Sequence, residues 1–132
     1  MIELERAREF LEGAEVAERE GLYNVCAVCC YAAIYWAARA AVVHVKGGRE
    51  WDWSHGGLRR VFSLELVKKG GLLPEWTGRR MEEAYHVRNI ALYETGEVTP
   101  KRARRLLRWA REFVEAVEGV MGSEGLQAEG SG

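Results

Sequence analysis

The chain has 132 residues, 19 of them Lys or Arg and 20 Asp or Glu, for a formal net charge of −1. A length of this order makes one domain that buries about two-thirds of the surface exposed by its unfolded chain. The even charge balance excludes a global pull toward nucleic acid or membrane.

Cys26, Cys29 and Cys30 cluster in the most apolar part of the chain and cannot build a secreted disulfide framework. No signal-peptide pattern is present, so a reducing cytoplasm is the expected compartment. Zinc would need a fourth ligand; the thiols read as small buried hydrophobes, and neither a metal site nor a cofactor is expected. With two Asn and one Gln against abundant Glu and Arg, the composition is compatible with a thermophilic source.

Residues 3–20 carry Leu4, Ala7, Phe10, Leu11, Ala14 and Ala17 at helical steps, with Glu and Arg between them, and Gly21 is a natural stop. The second helix is expected from Tyr23 to Lys46 and is apolar nearly all round. Its uncharged run, Val25 to Ala38, is 14 residues, short of the roughly 18 to 20 that span a bilayer. It therefore reads as a central helix covered on several sides, or as one that also packs in a dimer. Gly47-Gly48 ends it. After the loop Arg49-Glu50-Trp51-Asp52-Trp53, Ser54 can cap a third helix carrying Leu58, Val61, Phe62, Glu65 and Leu66. Gly70-Gly71 stops that helix, and Thr77 is a suitable cap for the fourth. Thr99-Pro100 marks the start of the last helix, a cap followed by Pro at the first helical position, which runs to about Val120. Residues 122–132 are Gly-, Ser- and Glu-rich and are expected to form an unstructured tail beyond a single domain of residues 1–121. No stretch alternates at period two. The expected class is all-α, an antiparallel bundle of about five helices.

The fourth helix carries the anomaly. Met81, Tyr85, Arg88 and Leu92 recur at four-, three- and four-residue steps, so a guanidinium occupies a hydrophobic stripe. His86, Asn89 and Tyr93 form a second stripe beside it. An Arg on an apolar seam costs free energy unless something pairs with it. Two readings stay open: an internal ion pair, with Glu65 the candidate partner, or a clamp for a phosphate, with Asn89 and Tyr93 orienting the same group. His55 starts a helix beside Gly56-Gly57, where it reads either as a surface or capping histidine or as part of an anion site built on backbone N–H groups. His86 lies two positions from Arg88, roughly 160° around the helix, so their side chains diverge. The last helix sets Lys101, Arg104, Arg105, Arg108 and Arg111 opposite its apolar side, either as a solvated face or salt links to the acidic first helix, or as a phosphate-contact surface. No Walker loop, dinucleotide fingerprint, hydrolase carboxylate pair or Cys/His dyad is present.

Several segments together resemble the HEPN domain (higher eukaryotes and prokaryotes nucleotide-binding) over roughly residues 4 to 118. Cys30 to Ala40 is similar to the family's alanine- and aromatic-rich second helix. Ser54-His55-Gly56-Gly57-Leu58-Arg59-Arg60-Val61-Phe62 resembles its Ser-His segment, and Ala110-Arg111-Glu112-Phe113-Val114 its closing segment. Arg88-Asn89-Ile90-Ala91-Leu92-Tyr93 resembles the signature Arg-Asn-x-Ala-Asp-Tyr. The ribonuclease branch has a His shortly after the Arg. Here no His follows Arg88, Tyr93 stands in that place, and Leu92 replaces the acid.

The resemblance implies an up-and-down four-helix core and a nucleotide- or RNA-binding site at Arg88, Asn89 and Tyr93, with His55 a weaker match. It further implies a homodimer of the small stand-alone prokaryotic branch, partnered by a minimal nucleotidyltransferase in a toxin–antitoxin-type pair and without catalysis of its own. A metal-independent endoribonuclease using Arg88 with a histidine is the alternative, and a structural oligomer with Arg88 ion-paired is a third.

Overall fold

Five helices follow one another in the computed structural model: α1 (Ile2–Arg19), α2 (Tyr23–Lys46), α3 (His55–Phe62), α4 (Trp76–Tyr93) and α5 (Pro100–Ser131). Residues 1–122 are described in full and 123–131 by backbone alone; all but the first residue of the tail expected over 122–132 lies outside the fully described part. The class is all-α, as the patterning predicts, and no strand occurs among the described residues.

The architecture follows from α2. Ala27, Cys30, Ala33, Ala37, Ala38, Ala40 and Ala41 are fully buried and so small that α1, α4 and α5 can all pack closely against it. Length and composition alone would let this helix cross a membrane, but more than half of its most apolar window is covered by the protein itself. Cys26 and Cys30 are buried with their sulfurs 3.9 Å apart. Hydrogen bonding to Cys26 and burial push the Cys30 thiol well above its ordinary range, so it behaves as a packing group. Beyond α2, Phe62 of α3 stacks on Phe113 of α5 with ring centroids 5.7 Å apart, closing the core on the far side.

Two of the expected caps form. Ser54 Oγ accepts from Gly57 N–H at 3.1 Å, and Thr99 Oγ1 accepts from Arg102 N–H at 3.2 Å with Pro100 first in the helix. Thr77 does not cap α4. It lies buried inside the first turn and donates its hydroxyl to Pro74 O at 2.7 Å, because the helix has already begun at Trp76. At the other end of α2, Gly47 and Gly48 take φ of 68° and 88°, a left-handed exit that side chains with a Cβ resist. The third helix does not stay regular: it widens into a π-helical turn over Ser63–Lys68, with Lys69 N–H reaching Leu64 O at 2.8 Å.

Charge is largely consumed between helices. Arg104 meets Glu18 at 2.9 Å, Arg111 meets Glu15 at 3.0 Å, and Arg105 approaches Glu83 at 4.0 Å. The basic stripe of α5 is thus mostly a set of links to α1 and α4, and the salt-link reading holds there. A different pair fastens the first helix to the loop after α2. Glu3, 1% exposed, accepts two hydrogen bonds from Arg49, at 2.6 and 2.9 Å. Arg49 holds the Glu3 carboxyl below its ordinary value of 4.5. A depressed carboxylate contributes stability that is full above the unfolded value and lost as pH falls through the folded one. Thermal melting of wild type and Glu3→Gln therefore differs at neutral pH, and the gap closes below about pH 4.5. Arg49→Ala, which strands a buried carboxylate, melts below Glu3→Gln at pH 7.

Candidate functional site

Where α1, α2 and α4 meet the start of α3, a cleft of about 530 Å³ opens to solvent. Helical spacing places its walls. Val28, Tyr31, Ala32 and Tyr35 come from one side of α2, and Tyr85, Arg88 and Leu92 from the stripe of α4. Phe10 of α1 and His55 of α3 complete the lining. Phe10, expected in the core, is 37% exposed at this rim. The α4 stripe runs from buried Met81 through half-buried Tyr85 and Arg88 to exposed Leu92, carrying the guanidinium from core to mouth.

Arg88 is half-buried and is ringed by phenols. Its guanidinium carbon lies 5.3 Å from the Tyr31 ring centroid, 5.7 Å from Tyr85 and 5.8 Å from Tyr93. One N–H donates to Asn89 Oδ1 at 2.9 Å. Among the described residues no carboxylate lies within ion-pair distance of it. Glu65, the partner that an internal salt bridge would require, turns instead to Lys46 at 3.7 Å and Lys69 at 3.6 Å. Glu65 lies in the widened turn after α3 and is tied to the end of α2 through Lys46. A cation held by ring faces and one amide oxygen retains free donors and its full charge.

His55 shares these rings. It stacks on Tyr85 with centroids 3.8 Å apart and planes 7° from parallel. Both of its nitrogens are engaged: Nε2 is 2.9 Å from Glu82 Oε1, and Nδ1 is 3.1 Å from the Tyr31 hydroxyl. Arg59 Nε approaches the same Glu82 oxygen at 3.1 Å, so the carboxylate Oε1 is shared between the imidazole and a guanidinium. Burial pushes the Tyr31 hydroxyl up to about 12, with the Arg88 charge pulling the other way, so the phenol stays protonated. Behind it, Tyr35 donates to Trp53 O at 2.8 Å and accepts from Arg39 at 3.1 Å. These bonds hold the loop that delivers Ser54 and His55.

The family model for the HEPN domain matches residues 2–120. This chain belongs to the HEPN domain family. No curated protein matches it. The HEPN match spans every residue of the cleft, and the family's association is with nucleotides and RNA.

Of the four residues that the sequence singles out, Arg88 and His55 line this HEPN cleft. Asn89 holds the Arg88 side chain, while Tyr93 is 74% exposed with Arg88 over its ring. His86 is exposed and does not line the cleft. Tyr31 and Glu82 are absent from the sequence-level site. The signal for Tyr31 was present as two phenols, Tyr31 and Tyr35, one turn apart on an otherwise apolar helix. Glu82 gave none, since its partner lies 27 residues away.

An Arg without an acidic partner leaves no stranded charge when removed. Arg88→Met is therefore expected to change urea-unfolding stability by less than about 1 kcal/mol. A loss above about 3 kcal/mol would mark it as half of a buried pair.

Proposed function

We propose that this HEPN protein binds the phosphate of a nucleotide or of RNA at Arg88 and has no catalysis of its own. In this reading it works as a homodimer beside a minimal nucleotidyltransferase, in a toxin–antitoxin-type pair. The observation that carries the binding step is the half-buried Arg88 guanidinium, unneutralised among the described residues, on the wall of a cleft of about 530 Å³. A guanidinium fork matches phosphate oxygens, and a half-desolvated one binds them more strongly than a fully solvated one. Asn89 fixes one edge of the fork, and Tyr93 stands exposed beside it. Support for a second copy comes from the apolar rim, where Phe10 and Leu92 are 37% and 46% exposed. The partner enzyme and its setting rest on the resemblance of the Arg88 segment.

The ion-paired α5 stripe adds a constraint. Arg104, Arg105 and Arg111 face Glu18, Glu83 and Glu15, so three of the stripe's five cations have a carboxylate beside them. A short RNA is expected to bind with a log–log salt slope near −1, reflecting about one phosphate contact, and not near −4. In calorimetric titrations with ATP and with short RNA, Arg88→Ala weakens binding at least about tenfold, or 1.4 kcal/mol. Equal affinity in the two proteins would remove the proposal.

One observation favours a second reading, a metal-independent endoribonuclease. His55 sits in the cleft with Arg88 and has a carboxylate, Glu82, behind it. Labelled RNA incubated with the protein in EDTA discriminates. Cleavage abolished by both Arg88→Ala and His55→Ala replaces the binding reading with the nuclease; intact RNA retires the nuclease.

A further inference from the structure

The imidazole in the cleft has no proton to offer a ligand while its present contacts stand. Glu82, an ionised carboxylate, can only accept, so Nε2 of a neutral His55 carries the proton toward it and Nδ1 is bare. The bare Nδ1 then accepts from the Tyr31 hydroxyl, 3.1 Å away. In that state Tyr31 spends its hydrogen on His55. When His55 gains a proton, both ring nitrogens donate. Tyr31 oxygen becomes the acceptor from Nδ1, and its own hydrogen is released into the cleft that its ring lines, beneath Arg88.

We propose that Tyr31 is the second anion ligand of the Arg88 cleft, with His55 and Glu82 as positioning residues that decide whether its hydroxyl points at the imidazole or at the ligand. The inference rests on the phosphate-site reading given above and names a residue that the signature at Arg88 does not contain. The other cleft phenols are less suited. Tyr35 already donates to Trp53 O, Tyr93 stands in solvent at the edge, and Tyr85 meets His55 through its ring face, so its hydroxyl does not change partner when the imidazole gains a proton. Tyr31 has the geometry, and burial keeps it a neutral donor throughout the ordinary pH range.

The charges that bear on His55 come from each neighbouring element. Tyr31 approaches from α2, Asp52 lies in the preceding loop, and Arg59 sits one turn along α3. Glu82, Tyr85 and Arg88 face it or its stacked rings from α4. An anion beside Arg88 can accept from the Tyr31 hydroxyl only when both imidazole nitrogens carry a proton, so binding and protonation reinforce one another.

The test uses a dinucleoside monophosphate, uridylyl-uridine, whose phosphodiester does not change charge over roughly pH 5 to 8, the interval in which imidazoles titrate. Calorimetry on the full chain is expected to show affinity rising about tenfold from pH 8 to pH 5.5, the gain of one hydrogen bond to a charged acceptor. Tyr31→Phe retains an increase of about twofold from the imidazolium charge alone, and His55→Gln is flat. A wild-type profile that is flat, or one that Tyr31→Phe leaves unchanged while Arg88→Ala abolishes binding, overturns this assignment and spares the phosphate site. Absence of binding at every pH, in wild type as in Arg88→Ala, overturns both. Ligand-free ¹⁵N spectra of the His55 ring add a readout independent of binding. The Nε2–H tautomer is expected at high pH, and an Nδ1–H tautomer overturns the proposal.

Discussion

A guanidinium held against aromatic faces, without a counter-charge among the described residues, is the constraint around which this HEPN domain is arranged. An Arg in an apolar seam usually resolves its desolvation by finding a carboxylate. Here the candidate acids have other partners. Glu65 is drawn to Lys46 and Lys69, Glu82 to His55 and Arg59, and Glu83 to Arg102 and Arg105. The effect is to leave positive charge at the one place where the helices part. Ring quadrupoles lessen its cost without cancelling it, which suits a site that must be stable empty and attractive to an anion.

The rest of the fold serves that arrangement. Small residues along α2 bring α1 and α4 close on either side, and the two tyrosines of α2 stand where these helices diverge. The loop from Arg49 to Trp53 is fastened twice, by Glu3 to Arg49 and by Tyr35 to the Trp53 carbonyl. The Ser54 cap can then set the first residue of α3 against Tyr85. Gly57 helps, because a Cβ there would collide with Asp52. These are packing and hydrogen-bond devices far from any ligand, and they are what keep the imidazole within reach of both Glu82 and Tyr31.

Much of the architecture was legible in the chain because it is encoded locally. The apolar run fixed α2 at Tyr23–Lys46, Ser54 and Thr99-Pro100 marked true helix starts, and the stripe through Arg88 predicted the face that lines the cleft. Local rules failed where tertiary context decided. Thr77 has the chemistry of a cap, but its hydroxyl is taken by Pro74. The third helix reads as regular, yet widens over Ser63–Lys68, a departure that its apolar spacing does not announce. Glu65 and Arg88 were plausible partners by pattern, and no pattern could have shown that Lys46 stands nearer. The Glu82–His55–Tyr31 chain joins three helices, so it exists only after they have packed. The basic face of α5 was ambiguous for the same reason until Glu15, Glu18 and Glu83 were found opposite it.

Arginine side-chain NMR during titration with a short single-stranded RNA addresses the central claim most directly. The account predicts that the Arg88 Nε–H resonance shifts saturably, together with the ring signals of Tyr31 and Tyr85, while Arg104 and Arg111 on α5 stay still. Shifts confined to the α5 arginines, with Arg88 unmoved at saturation, would contradict it.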